Sequence, residues 1–145
     1  MKALIQKVKK AQVHVNSETV GQINKGILAF VGVERDDQEQ QVDKLLKKII
    51  NYRIFADEND KMNRSLIDIQ GGLLLVSQFT LVAETQKGLR PSFSKAGNPE
   101  HSQKLYRYMI KQAKKTGLFI QTGKFAANMQ ISLINDGPVT FNLSC

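Results

Sequence analysis

The stretch Leu73-Leu74-Leu75-Val76-Ser77-Gln78-Phe79-Thr80 joins a fully apolar run to a cluster of polar side chains. Segments this apolar and this short are typical of buried strands. A serine, a glutamine and a threonine at the end of such a strand need partners or a ligand, because an unpaired buried polar group costs roughly 1–3 kcal/mol. The stretch therefore predicts a core strand that brings polar side chains and bare backbone to a site.

A second stretch near the end of the chain has the same arrangement. The segment 131–134 leads into Asn135-Asp136-Gly137-Pro138-Val139-Thr140. Proline removes a backbone donor and fixes its own φ, whereas glycine leaves φ free. The step is too abrupt for a plain hairpin, so its peptide bond is a candidate for the cis form. Together the two stretches indicate a site built from backbone and hydroxyl groups rather than from charged catalytic residues.

Length and composition predict one globular domain over residues 1–145. The hydrophobic content of 41% and the charged content of 23% are ordinary for this class. No apolar run approaches the roughly 20 residues that cross a bilayer, and the charges at Lys2 and Lys7 argue against a signal peptide. The single cysteine, Cys145, has no internal disulfide partner. We therefore expect a cytoplasmic protein without a membrane partner.

The net charge of +8 raises the probability of a polyanionic partner. The lysines are scattered along the chain and form no compact basic tail. They could lie on the solvated faces of helices and strands, or they could contact RNA. Charge alone leaves both interpretations open.

The apolar spacing predicts two helices among many strands. The first helix begins near Asp36-Asp37 and turns one apolar face inward, made of Val42, Leu45, Leu46, Ile49 and Ile50. The second begins at Asn98-Pro99-Glu100 and stops at Gly117. Strand patterns fill residues 2–33 and 73–81, and three more strands are predicted at 118–120, 128–135 and 139–143. We expect an α+β fold with a mostly antiparallel, curled sheet or partly open barrel and two main helices.

The usual catalytic and metal-binding patterns are missing from the sequence. His14 and His101 lie 87 residues apart without acidic or cysteine companions at ligand spacing. The acidic cluster near Asp57 is typical of a solvated turn, and no phosphate loop or nucleophile elbow is present. We expect neither a metal nor a cofactor.

Three interpretations of Ser77 to Thr80 remain. Thr80 could be a nucleophile, but no neighbouring residue supplies the base that a hydroxyl needs. Ser77 and Thr80 could instead fasten the strand end through side-chain-to-backbone hydrogen bonds. The third interpretation fits better: backbone N–H groups near Phe79 and Thr80 would stabilise a developing oxyanion, at about 2.7–4 kcal/mol per donor. Such a site suits an intrinsically labile ester.

The chain resembles the D-aminoacyl-tRNA deacylases, also called D-tyrosyl-tRNA deacylases, over essentially its whole length. The most specific part is Ser-Gln-Phe-Thr combined with Asn-x-Gly-Pro-Val-Thr at this separation. The matching segments are Met1 to Val8, Arg53-Ile54-Phe55, Lys61-Met62-Asn63, Ser77 to Leu81, Lys87 to Phe93, Phe125 with Met129, and Asn135 to Thr140.

This resemblance implies a homodimer that hydrolyses the ester between a D-amino acid and the 3′ end of tRNA. Gly137 and Pro138, joined by a cis peptide, would cross into the partner's pocket, where their carbonyls receive the substrate's α-ammonium group. Rigid main chain there leaves no room for an L side chain, so chirality is proofread by rejection. Achiral glycyl-tRNA would pass the same screen.

The resemblance also assigns roles to the other site residues. Ser77, Gln78, Phe79 and Thr80 would form the catalytic pocket, and Ala96 its wall. Phe125 and Met129 would hold the terminal adenine by stacking and apolar contact. Lys7 and Asn135 would support the Gly-Pro step. Mechanisms in the family divide between attack by Thr80 and water activated by the 2′-OH of the tRNA, and the missing base at Thr80 favours the 2′-OH.

Two residues depart from the family pattern. Lys7 stands where arginine is common, and lysine offers a point charge instead of a planar fork. Ala126 stands where glycine is expected after Phe125, and its methyl group could narrow the mouth of the pocket. Two rival functions also remain: a nucleic-acid-binding β module without catalysis, and a structural dimer whose Gly-Pro step only locks the interface.

Overall fold

The computed structural model describes residues 1–86 and 88–145, so Lys87, the first residue of one family-like segment, lies outside the described residues. The described residues form an α+β fold with two helices and eight strands. In chain order these are β1 Lys2–Val15, β2 Glu18–Ile23, β3 Gly26–Gly32, α1 Glu39–Asn51, β4 Phe55–Ala56, β5 Met62–Arg64, β6 Gly72–Ser77, α2 Pro99–Lys114, β7 Phe119–Thr122 and β8 Gln130–Ser144.

Strand β1 is the axis of the main sheet. Along one edge it pairs in succession with β3 and β2, and along the other it pairs with β8 over almost its whole length. The sheet continues from β3 to β6 and then to β7, while β4 and β5 form a separate small hairpin.

The prediction of a mostly antiparallel sheet is wrong, because the sheet is mixed. Strands β1, β2, β3 and β8 pair antiparallel, but β3 with β6 and β6 with β7 pair parallel. The physical reason is the pair of helices. Each lies in a connection between two neighbouring strands, α1 between β3 and β6 and α2 between β6 and β7, and such crossovers make the strands parallel.

The sheet curls until its ends nearly meet, as a partly open barrel requires. Gly21 of β2 lies so close to β7 that an added Cβ would come within 2.4 Å of the Thr122 carbonyl oxygen. The Gln22 amide also donates to Oε1 of Gln121 at 3.4 Å. The glycine thus permits the contact that almost closes the barrel.

Strand β6 is buried on both faces, as its apolar run predicts. Leu73 and Leu75 face the helices and join the larger core, whereas Leu74 and Val76 join a smaller core on the opposite face. This division follows from the alternation of side chains along a strand. Both predicted helices are confirmed. α1 buries Val42, Leu45, Leu46, Ile49 and Ile50, and Asn98 caps α2 by accepting a hydrogen bond from the His101 amide at 2.8 Å.

The last two predicted strands form a single strand. β8 runs through the Gly137-Pro138 step, which is cis, instead of ending before it. The register against β1 jumps there: Gln6 faces Thr140, while Val8 faces Asn135. The extra residues bulge outward between those pairs, so the ladder resumes after the step. Among the described residues, no helix is long and apolar enough to cross a membrane.

The α-ammonium group of Met1 is buried in an ion-pair cluster. It lies 2.6 Å from Oε2 of Glu34 and 2.7 Å from Oδ1 of Asp37. The other carboxylate oxygen of Asp37 accepts the backbone N–H of Glu34 at 2.6 Å. The start of β1 is therefore fastened to the loop that precedes α1.

Candidate functional site

The polar cluster after β6 lies at the surface end of a buried strand. The backbone N–H of Gln78 donates to the Val31 carbonyl at 2.8 Å, which extends the pairing of β6 with β3 by one residue. The chain then turns into a short 3-10 helix over Phe79–Val82, so the strand predicted over 73–81 is wrong in its second half and ends at Ser77. The Phe79 side chain is 59% exposed, and Thr80 is exposed too. Buried packing on one side and an abrupt turn on the other thus hold these four residues in place.

The hydroxyl of Thr80 is bonded to an amide rather than to a base. Nε2 of Gln78 donates to Oγ1 of Thr80 at 2.5 Å. An amide nitrogen of this kind only donates hydrogen bonds and cannot remove a proton. Within residues 1–86 and 88–145 neither the Ser77 nor the Thr80 hydroxyl bonds to backbone, as the fastening interpretation would require. The geometry disfavours Thr80 as an activated nucleophile.

The backbone amides of Phe79 and Thr80 are the first of the 3-10 helix, and the first N–H groups of a helix lack partners within it. In the described parts of the chain, no backbone acceptor pairs with either amide outside the helix. These two donors are available to an oxygen of a ligand.

The loop after this turn folds back onto Phe79. The ring of Phe93 lies 5.0 Å from the ring of Phe79 between centroids. Glu84 and Ser92 exchange backbone hydrogen bonds of 2.8 and 3.1 Å, and Lys95 donates to the Glu84 carboxylate at 2.9 Å. That hydrogen bond is the main cause that lowers the pKa of Glu84. The loop is thus fastened at its base, with the two aromatic rings exposed above it.

Ala96 lies at the foot of the same loop. It is half-buried, and its amide donates to the Phe93 carbonyl at 3.0 Å. Its backbone also bridges to Glu34. The structure therefore links Ala96 to Phe79 through Phe93.

The segment after β7 wraps the end of β6. The Gly123 amide and the hydroxyl of Tyr106 both donate to the Leu75 carbonyl, at 2.9 and 2.7 Å. The Tyr106 ring also packs against Phe125, with centroids 5.9 Å apart. Burial raises the pKa of Tyr106, so this hydroxyl remains a donor. Tyr106 thus holds the Phe125 ring near Leu75, which lies two residues before Ser77 on β6.

The role of Tyr106 was not predicted from the sequence, although its position carries a signal. The residue falls on the buried face of α2 with Leu105, Met109 and Ala113. A tyrosine in such a place usually needs a partner for its hydroxyl. Met129, by contrast, joins the smaller core on the other face of the sheet, beside Val76. Phe125 and Met129 therefore flank the end of β6 from opposite faces.

Ala126 has a left-handed backbone with φ of +58°. This conformation costs a residue with a Cβ roughly 1–2 kcal/mol. Replacement by glycine removes that cost, but part of the gain is lost because glycine has more conformational freedom in the unfolded state. We expect Ala126→Gly to raise the free energy of unfolding by up to about 1 kcal/mol, measured by urea denaturation. Ala127→Gly, next to it and without positive φ, is the control and should lower the stability. A loss of stability in both variants would contradict the strain at Ala126.

The Gly137-Pro138 step lies in the bulge of β8, opposite Lys7. Gly137 has φ of +138°, a region that favours glycine. Nζ of Lys7 lies 3.8 Å from Oδ2 of Asp136, and Asn135 pairs with Val8 just before the bulge. Lys7 thus reaches the segment as a single point charge at long range, which agrees with a looser support than an arginine fork gives.

Within one chain, the Gly-Pro bulge and the end of β6 do not meet. Strands β1 and β3 lie between β8 and β6, a span of three strand spacings or roughly 14 Å. The bulge is also displaced along the strands. It lies opposite Lys7 of β1, which pairs with Ile27 of β3, and Ile27 pairs with Leu73 of β6, four residues before Ser77. The structure therefore gathers Ser77 to Thr80, Phe93, Ala96 and Phe125, but not Gly137 and Pro138.

Among the described residues, no group of three or more His, Cys, Asp or Glu side chains could hold a metal ion. The fold and the site define an α+β, barrel-like protein whose candidate surface site gathers main-chain amides, hydroxyls, an amide side chain and aromatic rings. Such a set of groups can bind a polar ligand with a planar group and can stabilise an oxyanion.

Comparison with known proteins identifies the family. The family model described as D-Tyr-tRNA(Tyr) deacylase matches residues 4–144. The chain is 60% identical over 144 residues to a D-aminoacyl-tRNA deacylase of Pseudoalteromonas translucida, and 57% identical over 143 residues to one of Stutzerimonas stutzeri. Each alignment covers 99% of both chains. The chain therefore belongs to the D-Tyr-tRNA(Tyr) deacylase family, and the resemblance predicted from sequence is confirmed.

Two solved structures share the fold. The "c-Myc DNA Unwinding Element Binding Protein" has a TM-score of 0.94 and 38% sequence identity, covering 100% of this chain and 99% of its own. A "probable eukaryotic D-amino acid tRNA deacylase" has a TM-score of 0.85 at 13% identity, covering 98% of both chains. The second likeness concerns the fold alone.

Proposed function

We propose that this protein hydrolyses the ester bond between a D-amino acid and the 3′ end of tRNA, releasing free tRNA. The observation that carries the proposal is the Ser-Gln-Phe-Thr cluster, held at the exposed end of buried β6 in a chain of the deacylase family. An aminoacyl ester is labile, so a pocket without charged catalytic groups is sufficient. Because the substrate is tRNA, we expect the cytoplasm as the compartment.

The complete pocket, in this proposal, is formed between two copies of the chain. Gly137 and Pro138 lie far from Ser77 to Thr80 within one protomer, so they can only serve that pocket from a partner. The bulge is exposed at Gly137 and Pro138, and in the part of the chain that the structure describes β8 pairs with β1 alone. A homodimer would place the Gly-Pro step of each copy at the pocket of the other.

Chirality would be judged at this step by exclusion. The carbonyls of Gly137 and Pro138 would accept the α-ammonium group of the substrate, and the fixed main chain would leave no space for an L side chain. A D side chain points away from this wall. Glycine has no side chain to exclude, and we expect glycyl-tRNA as a second substrate.

The remaining residues would bind the ester and the terminal adenosine. The amides of Phe79 and Thr80 would stabilise the oxyanion as it forms at the scissile carbonyl. Phe125, positioned by Tyr106, would stack on the adenine. Met129 would contact the adenine from the opposite side, because Phe125 and Met129 flank the end of β6 from opposite faces, and Ala96 would form the wall of the ester pocket. Water would be activated by the 2′-OH of the terminal ribose, because within residues 1–86 and 88–145 the Thr80 hydroxyl is bonded to the Gln78 side-chain amide and to no base.

Thr80→Ala is expected to retain kcat within about tenfold, because the main-chain donors stay in place. D-tyrosyl-tRNA with a 2′-deoxy terminal adenosine is expected to be cut at least about 100-fold more slowly, the lower end of the usual acid–base contribution. Single-turnover hydrolysis measures both. An inactive Thr80→Ala, with normal cleavage of the 2′-deoxy substrate, would instead assign the chemistry to Thr80.

The proposed activity is tested by deacylation of D-tyrosyl-, L-tyrosyl- and glycyl-tRNA at matched concentrations, with and without a chelator. We expect release of D-tyrosine and glycine, unaffected by the chelator, and little release of L-tyrosine. Equal cleavage of D- and L-tyrosyl-tRNA would exclude the chiral pocket.

The name of one structural neighbour favours a second candidate function. A protein described as binding a DNA unwinding element shares this fold at 38% identity, which suits a nucleic-acid-binding module without catalysis. Nucleic acid that binds tightly, with no release of D-tyrosine from D-tyrosyl-tRNA, would favour this alternative over the deacylase.

A further inference from the structure

The positive charge of this protein is concentrated in one segment. Residues 101–135 contain no aspartate or glutamate and six cationic side chains: Lys104, Arg107, Lys111, Lys114, Lys115 and Lys124. The whole chain has 21 cationic and 13 acidic side chains. This segment therefore supplies six of the eight net charges, and the other 110 residues are almost neutral.

Five of these cations form one stripe on α2. Lys104, Arg107, Lys111, Lys114 and Lys115 follow one another at intervals of three, four, three and one, which places them on a single face of the helix. All five are exposed, and the opposite face is buried. Lys104 to Lys115 span about 16 Å along the axis at 1.5 Å per residue. We call these five residues the α2 stripe.

The α2 stripe has no acidic partners within residues 1–86 and 88–145, where no salt bridge includes any of its members. The helix and its neighbour α1 do carry acidic side chains: Glu100 is in the first turn of α2, four residues before Lys104, and Asp43 of α1 accepts a hydrogen bond from the Tyr108 hydroxyl at 3.2 Å. Like charges on one helix face oppose each other at spacings of three and four. An arrangement that is unfavourable for the isolated helix becomes favourable when a polyanion binds it.

The α2 stripe lies beside the candidate site. Helix α2 connects β6, which ends at Ser77, with β7, which leads to Phe125. Its buried face carries Tyr106, which contacts both Leu75 and Phe125. Lys104 is two residues from Tyr106 in sequence but lies on the opposite, exposed side of the helix, and exposed Lys124 precedes Phe125 directly. The α2 stripe therefore lies on the solvent side of the helix that holds Phe125, and Lys124 adds a cation next to the aromatic ring.

We propose that the α2 stripe binds the phosphate backbone of the acceptor arm of tRNA, while the 3′ terminal nucleotide occupies the site at Phe125. The inference rests on the proposed function for the identity of the RNA. Lysine and arginine side chains in such a row neutralise successive phosphates and release their counterions. The surface recognises backbone charge, so it binds tRNA bodies without regard to the amino acid.

The test is a fourfold variant, Lys104→Gln, Arg107→Gln, Lys111→Gln and Lys114→Gln. Glutamine has nearly the helix propensity of lysine and arginine, so α2 is preserved. The control variant, Lys9→Gln, Lys10→Gln, Lys25→Gln and Lys61→Gln, removes the same charge from exposed positions elsewhere. Thermal denaturation confirms the folding of both variants before binding is measured.

We expect the fourfold α2 variant to bind uncharged tRNA about tenfold or more weakly. The slope of log K against log salt should fall in magnitude by about 3.6, since each of the four lost duplex phosphate contacts contributes about 0.9. The control variant should stay within about threefold with a slope change near one. Equal losses of tRNA affinity in both variants would mean that net charge alone causes the effect. Wild-type affinity in the α2 variant would exclude the α2 stripe as a tRNA-binding surface.

A second measurement separates this inference from the proposed activity. The D-tyrosyl ester of adenosine has no acceptor arm, so the α2 variant should cleave it at the wild-type rate while its KM for D-tyrosyl-tRNA rises about tenfold. A slower cleavage of the short ester would assign α2 a structural role. If wild type cleaves neither substrate, the proposed activity is excluded. The binding of uncharged tRNA then tests by itself whether the α2 stripe binds RNA.

Discussion

Gly137→Ala is expected to lower kcat/KM for D-tyrosyl-tRNA by about 100-fold, the effect of a displacement near 1 Å in a positioning group. Gly137 has φ of +138°, and an added Cβ would come within 2.8 Å of Cγ2 of Val139 and 3.1 Å of the Val139 nitrogen. Relief of these contacts must shift the main chain of the bulge. The proposed carbonyl wall and the ammonium site would move together.

The control for this prediction is Gly117→Ala. Gly117 also has positive φ, +78°, but no atom of the described residues lies within 4 Å of its added Cβ, and it follows α2 in the chain. It should lose about 1–2 kcal/mol of stability, the ordinary cost of this backbone region, and keep its activity. Steady-state kinetics and urea denaturation on both variants separate strain from function. Full activity in Gly137→Ala would remove the Gly-Pro step from the pocket.

The sequence predicted most local structure because local signals agreed. The apolar face of α1 and the Asn98 cap each fix one helix face or boundary, and the structure follows them; the predicted stop at Gly117 is wrong by three residues, because α2 ends at Lys114. The apolar run 73–76 predicted a buried strand, and both of its faces are covered. These features depend on neighbours within one or two turns of chain.

The parts that the sequence did not predict depend on long-range pairing. Nothing local at Gly26 to Gly32 shows that this strand lies parallel to β6, since that direction follows from where α1 returns the chain. The single strand through Gly137-Pro138 is held by β1 on both sides of the bulge, and a local pattern shows only the turn residues. The role of the Tyr106 hydroxyl could not be predicted, because its acceptor, the Leu75 carbonyl, is 31 residues away in sequence.

The candidate site divides along the same line. Ser77 to Thr80 could be predicted because a buried strand that ends in polar residues is a local pattern. The separation of Gly137 from these residues needed the strand order, with β1 and β3 between them. Because of that separation, the proposed pocket includes a second copy of the chain.

Asp37→Asn is expected to lower the free energy of unfolding by about 3–5 kcal/mol, the cost of breaking a buried ion pair. Asp37 is 5% exposed, and its carboxylate bonds the buried Met1 ammonium at 2.7 Å and the Glu34 amide at 2.6 Å. Asparagine keeps the shape but removes the charge, so a buried cation loses half of its neutralisation. Urea denaturation of wild type and variant measures the difference.

Glu34→Gln is the matched control, because the same ammonium group lies 2.6 Å from Glu34. The Glu34 side chain is 31% exposed, against 6% for Asp37. Water can replace part of its interaction, so we expect a loss of about 1 kcal/mol or less, as for exposed pairs. Equal losses in the two variants would mean that burial does not decide the strength of this cluster. A loss below 1 kcal/mol for Asp37→Asn would show that the ammonium group is solvated in solution and that β1 is not fastened through it.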